Sequence, residues 1–339
     1  MAKRAYLFPG QGSQSVGMGA DLYEHVPAAR KVMDEANTIL GFSITDIMFG
    51  IESGGDGAGG AGGSGGAETD AAAVLTQTQN TQPALFVHSM AMFSAMKDRF
   101  AQPDMVAGHS LGEYSALCAA GALSFEDALR TVRLRGELMA TAGKVRPGAM
   151  AAILNMEDAD VEALCAEVSR GLGTLSSAPC EDGADIGIVQ AANYNSPGQI
   201  VISGDVKAVA RAVELAPERG ARRAILLPVS GAFHSPLMDF ATEGLGKALA
   251  ALSINKPTCP VFLNVTAEAS LDPDVIRQKL VEQLTAPVRW AQTLLAMQAA
   301  GATQYVEVGA GKVLSGLVKR TLDRTTETSA FGTAADLDT

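Results

Sequence analysis

The run Val106-Ala107-Gly108-His109-Ser110-Leu111-Gly112-Glu113 sets a serine between two glycines, where a short apolar segment gives way to a helical pattern. Without Cβ atoms on either side the chain can turn sharply and lift the Ser110 hydroxyl into the open. The helix that starts there offers free N–H groups and a positive dipole end. Ser110 is therefore the candidate nucleophile. The same pentapeptide in an ordinary loop would be inert, so the reading depends on strand, turn and helix coming in that order. Residues 103–107 are apolar enough for a buried strand, and 111–120 are rich in Ala and Leu with Glu113 in the first turn.

A serine needs a base, and the chain has four histidines. His25 and His88 fall in helical patterns upstream, and His109 adjoins Ser110, so its side chain must leave the turn in another direction. His234, in Val229-Ser230-Gly231-Ala232-Phe233-His234-Ser235-Pro236, follows an apolar segment at the place where loops of α/β sheets gather active-site residues. It is either the base or a structural loop histidine. Arg135 lies in a helical pattern over 124–142 with an apolar stripe of Phe125, Ala128, Leu129, Val132 and Met139. Spacing puts it at the margin of that stripe, beside Ala128 and Met139. There it is a buried carboxylate clamp or a side chain reaching out to water; Arg133 on the opposite margin keeps the choice open.

The elements that must position these residues follow from periodicity. A first strand over 5–8 leads into Gly10-Gln11-Gly12-Ser13-Gln14 and a helix over 19–40. That loop falls short of the dinucleotide fingerprint, because Ser15 stands where its third glycine belongs; a tight loop whose N–H groups face a ligand is the alternative. Residues 52–73 are glycine-rich, lack Gly-Lys-Ser/Thr and are predicted to be a flexible surface insertion. A helix is predicted from Ala84 onward. From residue 146 the pattern is strand 149–154, helix 158–169, strands 186–193 and 199–203 around a Pro197-Gly198 turn, helix 206–216 and strand 222–227. This is a β-α-β-β-α-β order, a ferredoxin-like unit. The chain then returns through a helix over 237–251, a strand over 260–265, a helix over 291–300 and a strand over 304–308. The predicted class is α/β with a mainly parallel sheet covered on both faces. The large domain takes 1–145 and 225–339, and the small inserted one 146–224. The polar stretch from 325 is expected to fray.

With 339 residues, 47% hydrophobic and 19% charged, the chain can bury a large core. A net charge of -11 argues against a nucleic-acid partner. Cys118, Cys165, Cys180 and Cys259 form no C-x-x-C pair, so neither a disulfide framework nor a zinc site is indicated. No apolar stretch is long enough to span a bilayer, and the residues before Pro9 are too few for a signal-peptide core. A cytoplasmic location is expected.

Seven motifs occur in one order between residues 3 and 322: Phe8-Pro9-Gly10-Gln11-Gly12-Ser13-Gln14, Thr81-Gln82-Pro83-Ala84, Gly108-His109-Ser110-Leu111-Gly112-Glu113, Arg135-Gly136, Asn195-Ser196-Pro197-Gly198-Gln199, Phe233-His234-Ser235 and Glu307-Val308-Gly309-Ala310-Gly311. Together they resemble the malonyl-CoA:acyl carrier protein transacylases of bacterial fatty-acid synthesis. The resemblance implies an α/β-hydrolase-like large domain with a ferredoxin-like insertion. It also implies Ser110 as the acylated nucleophile, His234 as its base and the N–H groups of Gln11 and Leu111 as an oxyanion hole. Gln283, in Val281-Glu282-Gln283-Leu284, would correspond to the residue that orients the histidine. Arg135 would bind the free malonyl carboxylate, with Met139 and Phe233 at the substrate. Malonyl-CoA and acyl carrier protein are the implied partners, with no cofactor or metal, and a monomer is expected. An acidic carrier would dock on a local basic patch of Lys312, Lys319 and Arg320. The chain departs from the family in the glycine-rich tract and in Ala310, where many relatives have proline.

Overall fold

The structure is a computed structural model and describes residues 2–51, 64–97, 99–170, 187–229 and 231–338. Its strands, in chain order, are Lys3–Phe8 (β1), Met105–Gly108 (β2), Gly148–Leu154 (β3), Val189–Ser196 (β4), Gln199–Asp205 (β5), Arg223–Leu226 (β6), Val261–Phe262 (β7), Ala269–Ser270 (β8), Ala302–Val308 (β9) and Glu327–Phe331 (β10). Along β1, Ala5 and Leu7 join one apolar cluster while Tyr6 and Phe8 join another. In β2, Met105 and Ala107 likewise part from Val106. Side chains alternate along a strand, so a strand buried both ways belongs inside a sheet covered by helices on its two faces. That sheet runs β10-β9-β1-β2-β7-β8, parallel from β10 to β7, with β8 antiparallel at the edge. The helices Thr78–Met96 and Phe125–Ala140 pack on the Phe8 side, and Trp290–Ala299 and Val313–Thr321 on the Leu7 side.

The second sheet, β4-β5-β3-β6, is antiparallel throughout. Ile153, Ile200 and Ile202 face the helices Asp158–Ser169 and Val206–Leu215, burying one side. Met150, Ala192 and Val201 face the other way, into the core of the large sheet's helices. Main chain also ties β4 to the segment just before the helix Trp290–Ala299: Tyr194 N–H donates to Val288 O at 2.9 Å, and Val288 N–H to Ala192 O at 2.8 Å. One face of the small sheet therefore closes over the end of β2, where Ser110 sits.

Several boundaries differ from the sequence reading, each for a local reason. The helix expected over 19–40 is two, Ala20–His25 and Pro27–Leu40, because Val26 precedes proline and stays extended at φ -119. The helix expected from Ala84 begins at Thr78 and contains Pro83. Proline cannot donate to the carbonyl four residues back, and Arg133 Nη1 donates to that Gln79 carbonyl at 2.8 Å instead. The glycine-rich tract 52–73 is expected to be a flexible surface insertion, yet the chain is helical over Ser64–Thr76, where alanines become frequent after Gly66; residues 52–63 lie outside the described part. Within 172–185, which looked long for a compact unit, nothing is described. The strand expected over 260–265 shortens to β7 because Leu263 turns back to bond Glu268 and Ala267. The C-terminal stretch expected to fray instead forms β10, an edge strand that needs only one buried neighbour, and Phe331 packs on Phe100. Ser124 caps the helix Phe125–Ala140 by accepting from Asp127 N–H at 3.0 Å, a contact worth about 1 kcal/mol.

Candidate active site

β2 runs into a sharp turn and then the helix Gly112–Ala119. A Cβ on Gly108 would lie 1.9 Å from the Gly112 main chain, and one on Gly112 would lie 2.1 Å from Phe8 O. Only glycine allows strand and helix to approach this closely. Ser110 itself has φ 51, a left-handed backbone that non-glycine residues rarely adopt and that marks functional turns. Asn264 holds the strained turn: its Oδ1 accepts from Ser110 N–H and its Nδ2 donates to Gly108 O, both at 2.7 Å.

His234 also has a left-handed backbone, φ 56, just before the turn that opens the helix Asp239–Ala251. Its Nδ1 lies 2.8 Å from the main-chain carbonyl of Gln283, which can only accept, so Nδ1 carries the proton. Nε2 is then an acceptor, and it faces Ser110 Oγ at 2.7 Å. Burial, reinforced by the nearby charge of Arg135, pulls the His234 pKa down to about 3, so the ring is neutral at pH 7.

Arg135 resolves the ambiguity left by periodicity, for it is 1% exposed. Its Nη1 donates to Gln82 Oε1 at 2.7 Å, and its Nη2 to Gln283 Oε1 and Ser110 Oγ, each at 3.0 Å. Tyr114 lies under the guanidinium at 5.8 Å. Burial lowers the Arg135 pKa, but an arginine starts so high that the charge persists. Arg133 points elsewhere, pairing with Glu137 at 2.6 Å. His109 indeed leaves the turn in another direction and meets Asn195 Oδ1 at 2.8 Å, beside the Trp290 ring.

Sequence reasoning missed Glu113 and Asn264 as parts of the site. Glu113 is fully buried; its Oε2 accepts from Asn264 N–H at 2.9 Å and from Gln283 Nε2 at 3.0 Å. Burial pushes its pKa up to about 7, against the opposing pull of those hydrogen bonds and of Arg135. The signal for Glu113 was present in the motif, as an acid on the first turn of a helix that is otherwise buried. At Gln283 it is the main-chain carbonyl, not the side-chain amide, that touches His234.

A cavity of about 290 Å³ opens over Ser110 and His234 and is lined by Gln11, Leu111, Arg135, Met139 and Phe233 among others. Among the described residues, the N–H groups of Gln11 and Leu111 find no acceptor. A larger cavity of about 720 Å³ meets it at Gln11 and Val229 and carries Arg133, Glu137 and Lys144. Met139 also receives the Gln82 amide at its sulfur, at 3.2 Å. The three basic residues suggested for a carrier do not form one cluster. Lys312 lines a separate cavity with Asp21, His88 and Asp336, whereas Arg320 donates to Gln199 Oε1 at 2.7 Å and Lys319 is exposed in the same last helical turn. Among the described residues no group of three His, Cys, Asp or Glu could hold a metal ion, and no helix is long and apolar enough to cross a membrane.

A half-buried serine paired with a buried histidine, with a guanidinium at the serine oxygen and a strand-to-helix turn beneath it, is the equipment of an acyl-transferring enzyme, and residues 5–335 match the acyl transferase domain family. Within it, the chain belongs to the malonyl CoA-acyl carrier protein transacylases. It is 48% identical to that enzyme of Bacillus subtilis (strain 168) over 320 residues, 94% of this chain and 90% of the relative. It is 38% identical to that of Escherichia coli (strain K12), covering 99% and 100% of the two chains. The crystal structure of an acyl carrier protein S-malonyltransferase from Vibrio cholerae superposes with a TM-score of 0.85 at 40% identity, over 99% of each chain. Another similar structure, at 35% identity and TM-score 0.84 over 99% of this chain and 98% of the other, is of a malonyl-transacylase in complex with a type II PKS acyl-carrier protein.

Proposed function

We propose that this chain transfers the malonyl group of malonyl-CoA to the phosphopantetheine thiol of an acyl carrier protein through a malonyl-Ser110 intermediate, supplying extender units for fatty-acid synthesis. The observation that carries the reading is Ser110 Oγ, 2.7 Å from a neutral His234 Nε2 and 3.0 Å from the buried Arg135 guanidinium. A plain hydrolase has no use for that arginine; a substrate with a free carboxylate does, because the planar fork binds carboxylates in pairs of hydrogen bonds. Met139 and Phe233 line the acyl pocket. The larger adjoining cavity leaves room for the pantetheine arm.

In the first half-reaction Ser110 Oγ attacks the thioester carbonyl and passes its proton to His234 Nε2, while the main-chain carbonyl of Gln283 holds the ring. The Gln11 and Leu111 N–H groups donate to the developing oxyanion, a contribution of about 3 kcal/mol for such a donor. Collapse expels the CoA sulfur, which takes the proton from His234, and malonyl-Ser110 remains. The carrier's thiol then gives its proton to His234 and attacks the ester, reversing the steps. Pairing of Arg135 with the malonyl carboxylate also masks the charge that depresses His234, so the base strengthens when the right substrate is bound.

The architecture supports a reading as an α/β-hydrolase-like domain of residues 1–145 and 225–339, with a ferredoxin-like insertion of 146–224. We assign the chain to the cytoplasm as a monomer. The acidic carrier docks near Lys319 and Arg320, with Lys312 at the other end of their helix. Intact-mass measurement after mixing with malonyl-CoA tests the core of this proposal. One malonyl group should appear on the protein and none on Ser110→Ala. Addition of carrier should then yield malonyl-carrier; free malonate as the main product would favour the hydrolase.

A further inference from the structure

Glu113 stands at the centre of the site without touching its reacting atoms. Whether the carboxyl is ionised or carries its proton on the unpartnered Oε1, its Oε2 can only accept hydrogen bonds. Because its Oε2 faces Gln283 Nε2 at 3.0 Å, the Gln283 amide must present its NH₂ to Glu113 and its oxygen to the other side. On that other side is Arg135 Nη2, at 3.0 Å. The second hydrogen of the NH₂ goes to Ser110 O at 3.1 Å. An amide held at three points cannot flip, and so the guanidinium is offered an acceptor rather than a donor. Glu113, Gln283 and Arg135 are all buried, so solvent cannot take over any of these contacts. The remaining carboxylate oxygen, Oε1, has no hydrogen-bond partner among the described residues, which leaves Oε2 as the oxygen that does the holding.

We infer that Glu113 is a positioning residue for acyl-group selection: it fixes the orientation of the Gln283 amide and, through it, aims Arg135 at the carboxylate of the incoming acyl group. The inference rests on the malonyl-transfer reading above. It separates two duties of Gln283. The main-chain carbonyl orients His234 and serves every acyl group alike, while the side-chain amide, set by Glu113, serves only acyl groups that carry a carboxylate.

That separation can be measured. Glu113→Met replaces the carboxylate by an apolar chain of similar length, and Glu113→Gln keeps an acceptor oxygen. Rates of Ser110 acylation by malonyl-CoA and acetyl-CoA give a selectivity ratio, and reaction with a small neutral sulfonyl fluoride reports the Ser110–His234 pair. In Glu113→Met the malonyl-over-acetyl ratio should fall about tenfold or more, the size expected when one buried hydrogen bond in a chain is lost. Sulfonylation in that variant also reports the Asn264 N–H contact behind the Ser110 turn, and should fall by a clearly smaller factor than malonylation. Glu113→Gln should restore the ratio to within about threefold. A folded Glu113→Met that keeps the parent ratio overturns the inference, and so does one that loses sulfonylation as severely as malonylation. Should Glu113→Met not fold, Gln283→Met, which removes the amide and keeps the carbonyl, must show the same selective loss; an unchanged ratio there overturns the relay. A parent protein that takes no malonyl group on Ser110 overturns the functional reading and this inference with it. A discriminating parent with an equally discriminating variant overturns this inference alone.

Discussion

Replacing Arg135 by alanine is the sharpest perturbation of the acyl pocket. In the free protein the guanidinium donates to three neutral acceptors, Gln82 Oε1, Gln283 Oε1 and Ser110 Oγ. A malonyl carboxylate would exchange two of these for charged acceptors. Charged hydrogen bonds contribute about 1.5–3 kcal/mol each against about 1 for neutral ones, so two exchanges yield about 1–4 kcal/mol, with about 2.5 at the middle of that range. At about 1.4 kcal/mol per decade this is roughly sixtyfold in preference for malonyl over acetyl groups. Arg135→Ala should therefore lower the ratio of acylation rates from malonyl-CoA and acetyl-CoA by about that factor, measured by intact mass on quenched samples. Arg135→Lys keeps the charge without the fork and should fall between. Stability should drop as well, because the two glutamine oxygens lose their buried donor at about 1–3 kcal/mol each, so the assay belongs well below the thermal midpoint. A folded alanine variant that still prefers malonyl by the parent's margin would refute the reasoning and make Arg135 structural.

Three further outcomes are expected. Because His234 titrates near 3, acylation at limiting malonyl-CoA should stay level between pH 7.5 and 5, where an ordinary imidazole base would lose about thirtyfold; an inflection near 6.5 that survives in Glu113→Gln would contradict this. His88 is buried with its pKa lowered to about 4, so between about 4 and 6.5 the unfolded chain binds a proton that the folded one refuses, and stability is lost as pH falls through that window. His88→Leu should accordingly gain on the parent by on the order of 2 kcal/mol on going from pH 8 to 5, and a difference in thermal midpoint independent of pH would speak against it. Reversing the charges of Lys319 and Arg320 should raise the KM for carrier protein and leave that for malonyl-CoA alone; equal effects on both would exclude a carrier-specific dock.

While the choice of Arg135 rested on the resemblance carried by the seven motifs, Ser110 and the candidacy of His234 were legible from the flanking glycines and the small number of histidines. Burial of Arg135 was not, since both margins of the stripe carried an arginine and only packing against Gln82 and Gln283 distinguishes them. Glu113 and Asn264 stayed hidden for a different reason. The contacts that define them join residues more than 150 positions apart, and no local pattern encodes such a pair. Gln283 shows a further limit: a sequence displays side chains, whereas the contact with His234 is made by a carbonyl that every residue has. In the fold, β10 was misread because composition measures burial, and an edge strand can be polar on its open side.

The order in which the sheet is wired has a consequence for synthesis. β1 is central, yet its two neighbours are made at very different times: β2 comes about a hundred residues later and β9 only at Ala302–Val308. A growing chain on the ribosome therefore carries Ser110 and Arg135 long before His234, Asn264 and Gln283 exist, and one side of β1 waits unpaired until almost the whole polypeptide has emerged. Contacts this distant close slowly, because the loop entropy must be met before the pairing is gained. Until His234, Asn264 and Gln283 have been made, the nascent chain holds Ser110 without the base and the turn contacts that the finished site gives it.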